Sequence, residues 1–69
     1  MLKLGKYRHY KGNNYEVIGV AKLEETLEDM VVYRPLYKTE YDLWVRPLRV
    51  FTENLEIDGK TVPRFEYIG

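Results

Sequence analysis

The sequence has no cysteine, no serine and no glutamine, and it holds one histidine and one alanine. Each absence removes a chemistry. Without cysteine there are no disulfides to support a small fold, no thiolate metal sites and no thiol nucleophile. Without serine as well, the usual nucleophile–histidine arrangements are gone. The four threonines, Thr26, Thr39, Thr52 and Thr61, sit in no recognisable catalytic setting. One histidine cannot make a two-histidine zinc motif, and five scattered glycines make no phosphate cradle. The acidic run Glu24-Glu25-Thr26-Leu27-Glu28-Asp29 lacks the ladder of a calcium loop. No cofactor and no metal are therefore expected. No apolar run approaches the roughly 20 residues of a membrane span. The first residues, Met1 to Gly5, carry no apolar core of a signal peptide. A cytoplasmic protein with no membrane partner is the expectation, and the missing cysteines agree with a reducing compartment.

What remains is short and rich in aromatics. Sixty-nine residues make one small β-barrel domain over 1–69 the expectation. Area scaling gives about 4,600 Å² of folded surface against about 12,000 Å² extended, which leaves room for one thin core. Ten aromatics, seven of them Tyr, and a net charge of zero favour a folded chain over a disordered one. The zero is a sum of blocks. Residues 1–15 carry four Lys/Arg and no acid, whereas residues 16–29 carry five acids and one Lys.

Val, Ile, Thr, Tyr, Phe and Trp supply 24 of the 69 residues, and these side chains suit pleated surfaces. Turn-forming clusters divide the chain into short strands. The first reads as Lys6 to Tyr10, followed by a turn over Lys11 to Asn14. The second runs from Tyr15 to Leu23, with Gly19 placed for a bulge. Residues Glu25 to Glu28 read as the hairpin tip, a single helical turn being the alternative. The third strand is Met30 to Leu36, with Val31 and Tyr33 on one face and Pro35 marking an edge or bulge. The fourth is Leu43 to Arg46, and Pro47 to Phe51 suits a short helical turn. Asp58-Gly59 predicts a hairpin between Leu55–Ile57 and Val62–Ile68. The fold class is all-β: a small SH3-like barrel of five to six short antiparallel strands with one helical turn near 47–51. An open, OB-like barrel is the alternative.

The runs Gly5-Lys-Tyr-Arg-His-Tyr-Lys-Gly12, Tyr15-Glu-Val-Ile-Gly-Val-Ala21, Glu25-Thr-Leu-Glu28, Val31-Val-Tyr-Arg34, Leu43-Trp-Val-Arg-Pro47, Phe51 and Pro63-Arg-Phe65 occur in order along the chain. Together they resemble a family of small bacterial domains, domain-of-unknown-function family 1653, over roughly Gly5 to Ile68. The resemblance implies an SH3-type barrel and a bacterial or phage source, and it implies no activity. The segment Tyr37 to Asp42 is longer than the Gly-containing turn usual there.

The candidate binding residues are His9, Tyr10, Lys11, Tyr33, Arg34, Trp44, Arg46 and Arg64. His9 alone titrates near neutrality; it reads either as a base or ligand contact, or as a strand histidine bonded to a neighbour. Tyr10, Tyr33, Tyr37, Trp44 and Arg46 suggest a groove in which rigid aromatic area stands beside bidentate donors. Trp44 reads equally as the side chain that fills the barrel. Arg34 and Arg46 read as structural ion-pair partners of Glu25 or Glu28. Phe65 belongs to the core, which points Arg64 outward, where it would join Lys6 and Arg8 if the first and last strands pair.

Three functions stay open, in this order. The first is a non-catalytic binding module that presents an aromatic/Arg surface to a peptide or partner protein. The second is nucleic-acid or nucleotide binding through the basic N-terminal block, Lys3, Lys6, Arg8 and Lys11. A small enzyme using His9 with a carboxylate such as Glu28 is a distant third. A monomer or a weak homodimer is expected.

Overall fold

A computed structural model describes residues 2–69. Seven strands and one helical turn follow in the order β1 (Gly5–His9), β2 (Asn14–Lys22), β3 (Asp29–Pro35), β4 (Trp44–Pro47), α1 (Leu48–Phe51), β5 (Asn54–Ile57), β6 (Lys60–Pro63) and β7 (Phe65–Tyr67). Five strands form an antiparallel sheet ordered β4-β3-β2-β1-β7, and β5 and β6 form a separate hairpin. The architecture is all-β with one short helix, consistent with a small SH3-like barrel. None of the helical structure among the described residues is long and apolar enough to cross a membrane.

Local chemistry explains the turns. Asp58 (φ 51°) and Gly59 (φ 78°) both take positive φ, as the tight turn matching the strand twist requires. The β2–β3 register shifts between Val17 and Gly19, so a bulge falls where Gly19 suggested one. Beyond it the ladder continues to Lys22 opposite Asp29, and residues 24–27 form the hairpin tip. Leu27 takes φ 62° there, an unusual conformation for a branched residue. Pro47 precedes α1 with an extended ψ of 136°, outside the turn it was expected to open. The missing Pro N–H costs little at that position.

Two expectations change. Pro35 does not mark β3 as an edge strand, because β3 lies between β2 and β4. Pro35 is the last residue of β3, beyond the four residues that pair with β4, so no ladder bond is lost on that side. The edges of the sheet are β4 and β7. The final strand, read as continuous from Val62, is broken at Arg64 into β6, which pairs with β5, and β7, which pairs with β1.

The core is small and mostly aromatic: Tyr7, Val17, Val31, Tyr33, Phe51 and Phe65. Phe51 of α1, 1% exposed, stacks on Phe65 with centroids 4.0 Å apart and planes 7° from parallel. Tyr7 and Tyr33 meet Phe51 edge-on, each at 5.4 Å. Burying one such ring stabilises the fold by about 1.5–3 kcal/mol relative to leaving it in water. Trp44 is not the central core residue. It is 38% exposed and packs on Tyr41 at 5.3 Å. Although Trp44 pairs with Tyr33, it does so on the edge strand, while Phe51 occupies the centre.

The body is more open than its length requires. Its accessible surface is 5274 Å² against the about 4,600 Å² expected from size. Its radius of gyration is 12.4 Å against about 11 Å. Between the separate β5–β6 hairpin and the sheet lies a cleft of about 520 Å³ lined by residues of β1, the hairpin and β7.

Candidate functional site

Residues directly opposite in an antiparallel ladder point to the same face. That rule puts Tyr7, Tyr15 and Tyr67 on the inner face of the sheet, along with Val17, Tyr33 and Trp44. His9 lies opposite Phe65, and Arg46 opposite Val31, on the same inner face. The Phe65 ring therefore becomes a platform for side chains from four strands. His9 meets it edge-on at 4.9 Å, Tyr15 at 5.7 Å and Tyr33 at 5.6 Å. The Arg46 guanidinium carbon lies over the ring, 5.6 Å from its centroid. Arg46 Nε also donates to the Tyr33 hydroxyl, 3.3 Å away. Cation–π contact and one neutral acceptor hold this half-buried arginine, and no carboxylate among the described residues bridges it.

Arg64 enters the cluster from the β6–β7 break. The break is pinned by the main chain: Tyr10 N–H donates to the Arg64 carbonyl, and Arg64 N–H donates to the Glu53 carbonyl. The side chain does not point outward as expected. It is 20% exposed, with Nη2 donating to Glu53 Oε1 at 2.8 Å. Its Nε–H is buried with no acceptor, a state that costs about 1–3 kcal/mol for a typical donor.

His9 sits among these cations. Its Nδ1 accepts the Lys11 backbone N–H at 3.1 Å, so in the neutral ring Nε2 carries the proton. Burial, reinforced by the charges of Arg46, Arg64 and Lys11, holds its pKa below the usual histidine value. Tyr10 stacks on His9 with centroids 4.6 Å apart, and Lys11 Nζ lies 5.8 Å from the Tyr10 centroid. On the other flank the Tyr15 and Tyr37 hydroxyls are 3.1 Å apart. Burial and this bond push the Tyr15 pKa up to about 12.

Of the eight candidates, His9, Tyr10, Lys11, Arg46 and Arg64 converge. Tyr33 joins from below: it is 3% exposed and contributes its hydroxyl to Arg46. Arg34 does not join. It is bonded through Nε to Glu16 at 2.7 Å across the opposite face. Trp44 lies opposite Tyr33 on the edge strand, but its ring packs on Tyr41, and no ring contact among the described residues joins it to Tyr10, Tyr33 or Tyr37 of the anticipated groove with Arg46. Nor do Glu25 and Glu28 pair with Arg34 or Arg46; Glu28 accepts from Arg49 at 3.0 Å. Tyr15 and Glu53 are residues of the cluster that the sequence did not single out, whereas Tyr37 was named for the groove. Only the surplus of tyrosine hinted at Tyr15.

The His9–Glu28 pair is removed by geometry. His9 packs beside Tyr15, at the start of β2, and Glu28 precedes Asp29, which pairs with the last residue of β2. Seven residues of strand put the two on the order of 20 Å apart. No hydrogen bond joins His9 to a carboxylate among the described residues, nor do these contain a group of three His/Asp/Glu side chains able to hold a metal. The basic N-terminal block is also dispersed. Lys6 lies opposite Glu16 and Arg8 opposite Glu66, while Lys3 sits over the Tyr67 ring.

The fold and this cluster define a small all-β domain with a cation-bearing aromatic platform on its inner face. A family profile described as "Protein of unknown function (DUF1653)" matches residues 5–67, and the chain belongs to that family. Among solved structures it is similar to the crystal structure of a DUF1653 protein from Bordetella bronchiseptica. The two share 39% identity at a TM-score of 0.91, covering 99% of this chain and 88% of the other. No curated protein matches.

Proposed function

We propose that this domain is a non-catalytic binding module whose aromatic and arginine-bearing inner face takes a peptide segment of a partner protein. One observation carries the reading: Arg46 is fixed over Phe65 and against the Tyr33 hydroxyl, yet answers no carboxylate among the described residues. An arginine oriented on an aromatic ring is pre-organised for a partner, because little of its freedom remains to be lost on binding. Tyr10, packed on His9, and Tyr37, bonded to Tyr15, are both exposed and offer rigid contact area.

The nucleic-acid reading has less support. A phosphate backbone calls for a basic track. Here Lys6 and Arg8 each lie opposite an acid of the neighbouring strand.

Selection from a displayed random-peptide library tests the proposal. Peptides recovered on the native domain should bind at least tenfold more weakly to Arg46→Ala and more weakly to Tyr10→Ala. Circular dichroism would confirm that both variants remain folded. Recovery of no peptide above background, or equal binding to folded Arg46→Ala, overturns the reading.

A further inference from the structure

The charges around Phe65 do not balance. Lys11, Arg46 and Arg64 all bear on His9, and Glu53 is the single carboxylate bonded within the cluster. Arg8 lies opposite Glu66 with no bonded ion pair among the described residues, and two other arginines are answered: Arg34 by Glu16 and Arg49 by Glu28. Those two are exposed, whereas Arg46 is half-buried and would gain more from a counter-charge. On the cleft side of His9, Arg8 and Lys60 offset Asp58 and Glu66, so the excess belongs to the platform itself.

The cluster also keeps unused donors. Arg46 uses only Nε on Tyr33, which leaves its two terminal nitrogens available. Arg64 gives Nη2 to Glu53 and retains Nη1. His9 presents Nε2–H, because Nδ1 is occupied by the Lys11 amide. One free guanidinium fork on Arg46, one further guanidinium nitrogen on Arg64 and one ring N–H are a donor set for a compact, multiply accepting anion. A cation would meet three positive charges here, and a polyanion would find no track beyond the platform.

We infer that the platform of Arg46, Arg64 and His9 over Phe65 binds one oxyanion, a carboxylate or a phosphate monoester. The inference rests on the reading of this face as a binding surface and names what it recognises. The oxyanion accepts from Arg46 and Arg64, with neutral His9 as a third donor. Tyr10 and Tyr37 contact whatever carries it. On a peptide partner, a chain-terminal or side-chain carboxylate supplies the group.

The test is a titration of the isotope-labelled chain with sodium phosphate and, separately, sodium acetate, at constant ionic strength set by chloride. Side-chain Nε–H signals of the arginines and the His9 ring are followed by NMR. The expected result is saturable shifts at Arg46, Arg64 and His9, with none at Arg34 or Arg49. Affinity should fall at least tenfold in Arg46→Gln and less in Arg46→Lys, each shown folded by its amide spectrum. Saturation by acetate assigns the group to a carboxylate, and saturation by phosphate alone assigns it to a phosphate monoester. Shifts that are linear, or shared by all arginines, or unchanged in both Arg46 variants, overturn the inference. Failure here is separable from failure of the module reading. If amidated peptides without acidic residues are selected and no anion saturates, the module stands and the oxyanion site falls. If phosphate saturates the site and no peptide is selected, the oxyanion site stands without the peptide module.

Discussion

Two charged regions of this molecule use the same residue types to opposite effect. At the tip of the β2–β3 hairpin every nearby cation holds an acid: Lys22 with Asp29 at 2.7 Å and Arg49 with Glu28 at 3.0 Å. Around Phe65 three cations share one bonded carboxylate, on Glu53. The tip is exposed, so its pairs are worth little to stability and leave little for a ligand to do. The platform is half-buried and aromatic, so its imbalance persists in a medium where charge matters more. A net charge of zero describes both regions and distinguishes neither.

The largest break in this contrast comes from removing the floor of the platform. Phe51→Ala takes away the ring stacked under Phe65 and should cost about 3–5 kcal/mol in urea denaturation. A loss under about 1 kcal/mol would mean that the stack does not hold the cluster together. Matched deletions compare the two regions next. Glu53→Ala strands a mostly buried guanidinium and should cost about 1–2 kcal/mol. Glu28→Ala should cost under about 1 kcal/mol. Equal losses would erase the distinction.

A smaller effect belongs to the tip. Leu27→Gly relieves a positive φ and should raise stability by about 0.5 kcal/mol, the relief being partly offset by the freedom glycine adds to the unfolded chain. The subtlest signature is in pH. The folded pKa of His9 lies below the 6.5 of the unfolded chain, so the unfolded state takes up the proton first. The stability contributed by neutral His9 is whole above about pH 6.5 and declines as pH falls toward the folded pKa. His9→Gln should flatten the stability profile just below pH 6.5. A profile identical to that of the native chain would mean that neither burial nor the cations depress the His9 pKa.

Much of this fold is legible residue by residue. Alternation puts Val31 and Tyr33 in the core, Asp58-Gly59 makes its turn, and Gly19 sits beside the bulge. The pairing of first and last strands follows from barrel closure and is present as β1 with β7. The platform is less legible, for two reasons. Size alone cannot say which large side chain fills a core. Four aromatic residues, Tyr7, Tyr33, Phe51 and Phe65, compete with Trp44, and the helical turn delivers Phe51 to the centre while Trp44 remains on an edge strand. Alternation also fails at Arg64, because the chain changes partner strand there and the side-chain phase is reset. Pro63, just before it, is the one signal of that boundary.

The β1–β7 pairing ties the start of the first strand to the end of the last. Ile68 N–H donates to the Lys6 carbonyl, and the Gly69 carbonyl lies against Gly5, where a side chain would be strained by the φ of 128° and crowded by Tyr67. The start of β1 and the end of β7 therefore run side by side at one corner, about 13 Å of strand from His9. Fraying of β7 would leave β1 as the edge of the sheet and bare the Tyr7 ring that Tyr67 meets.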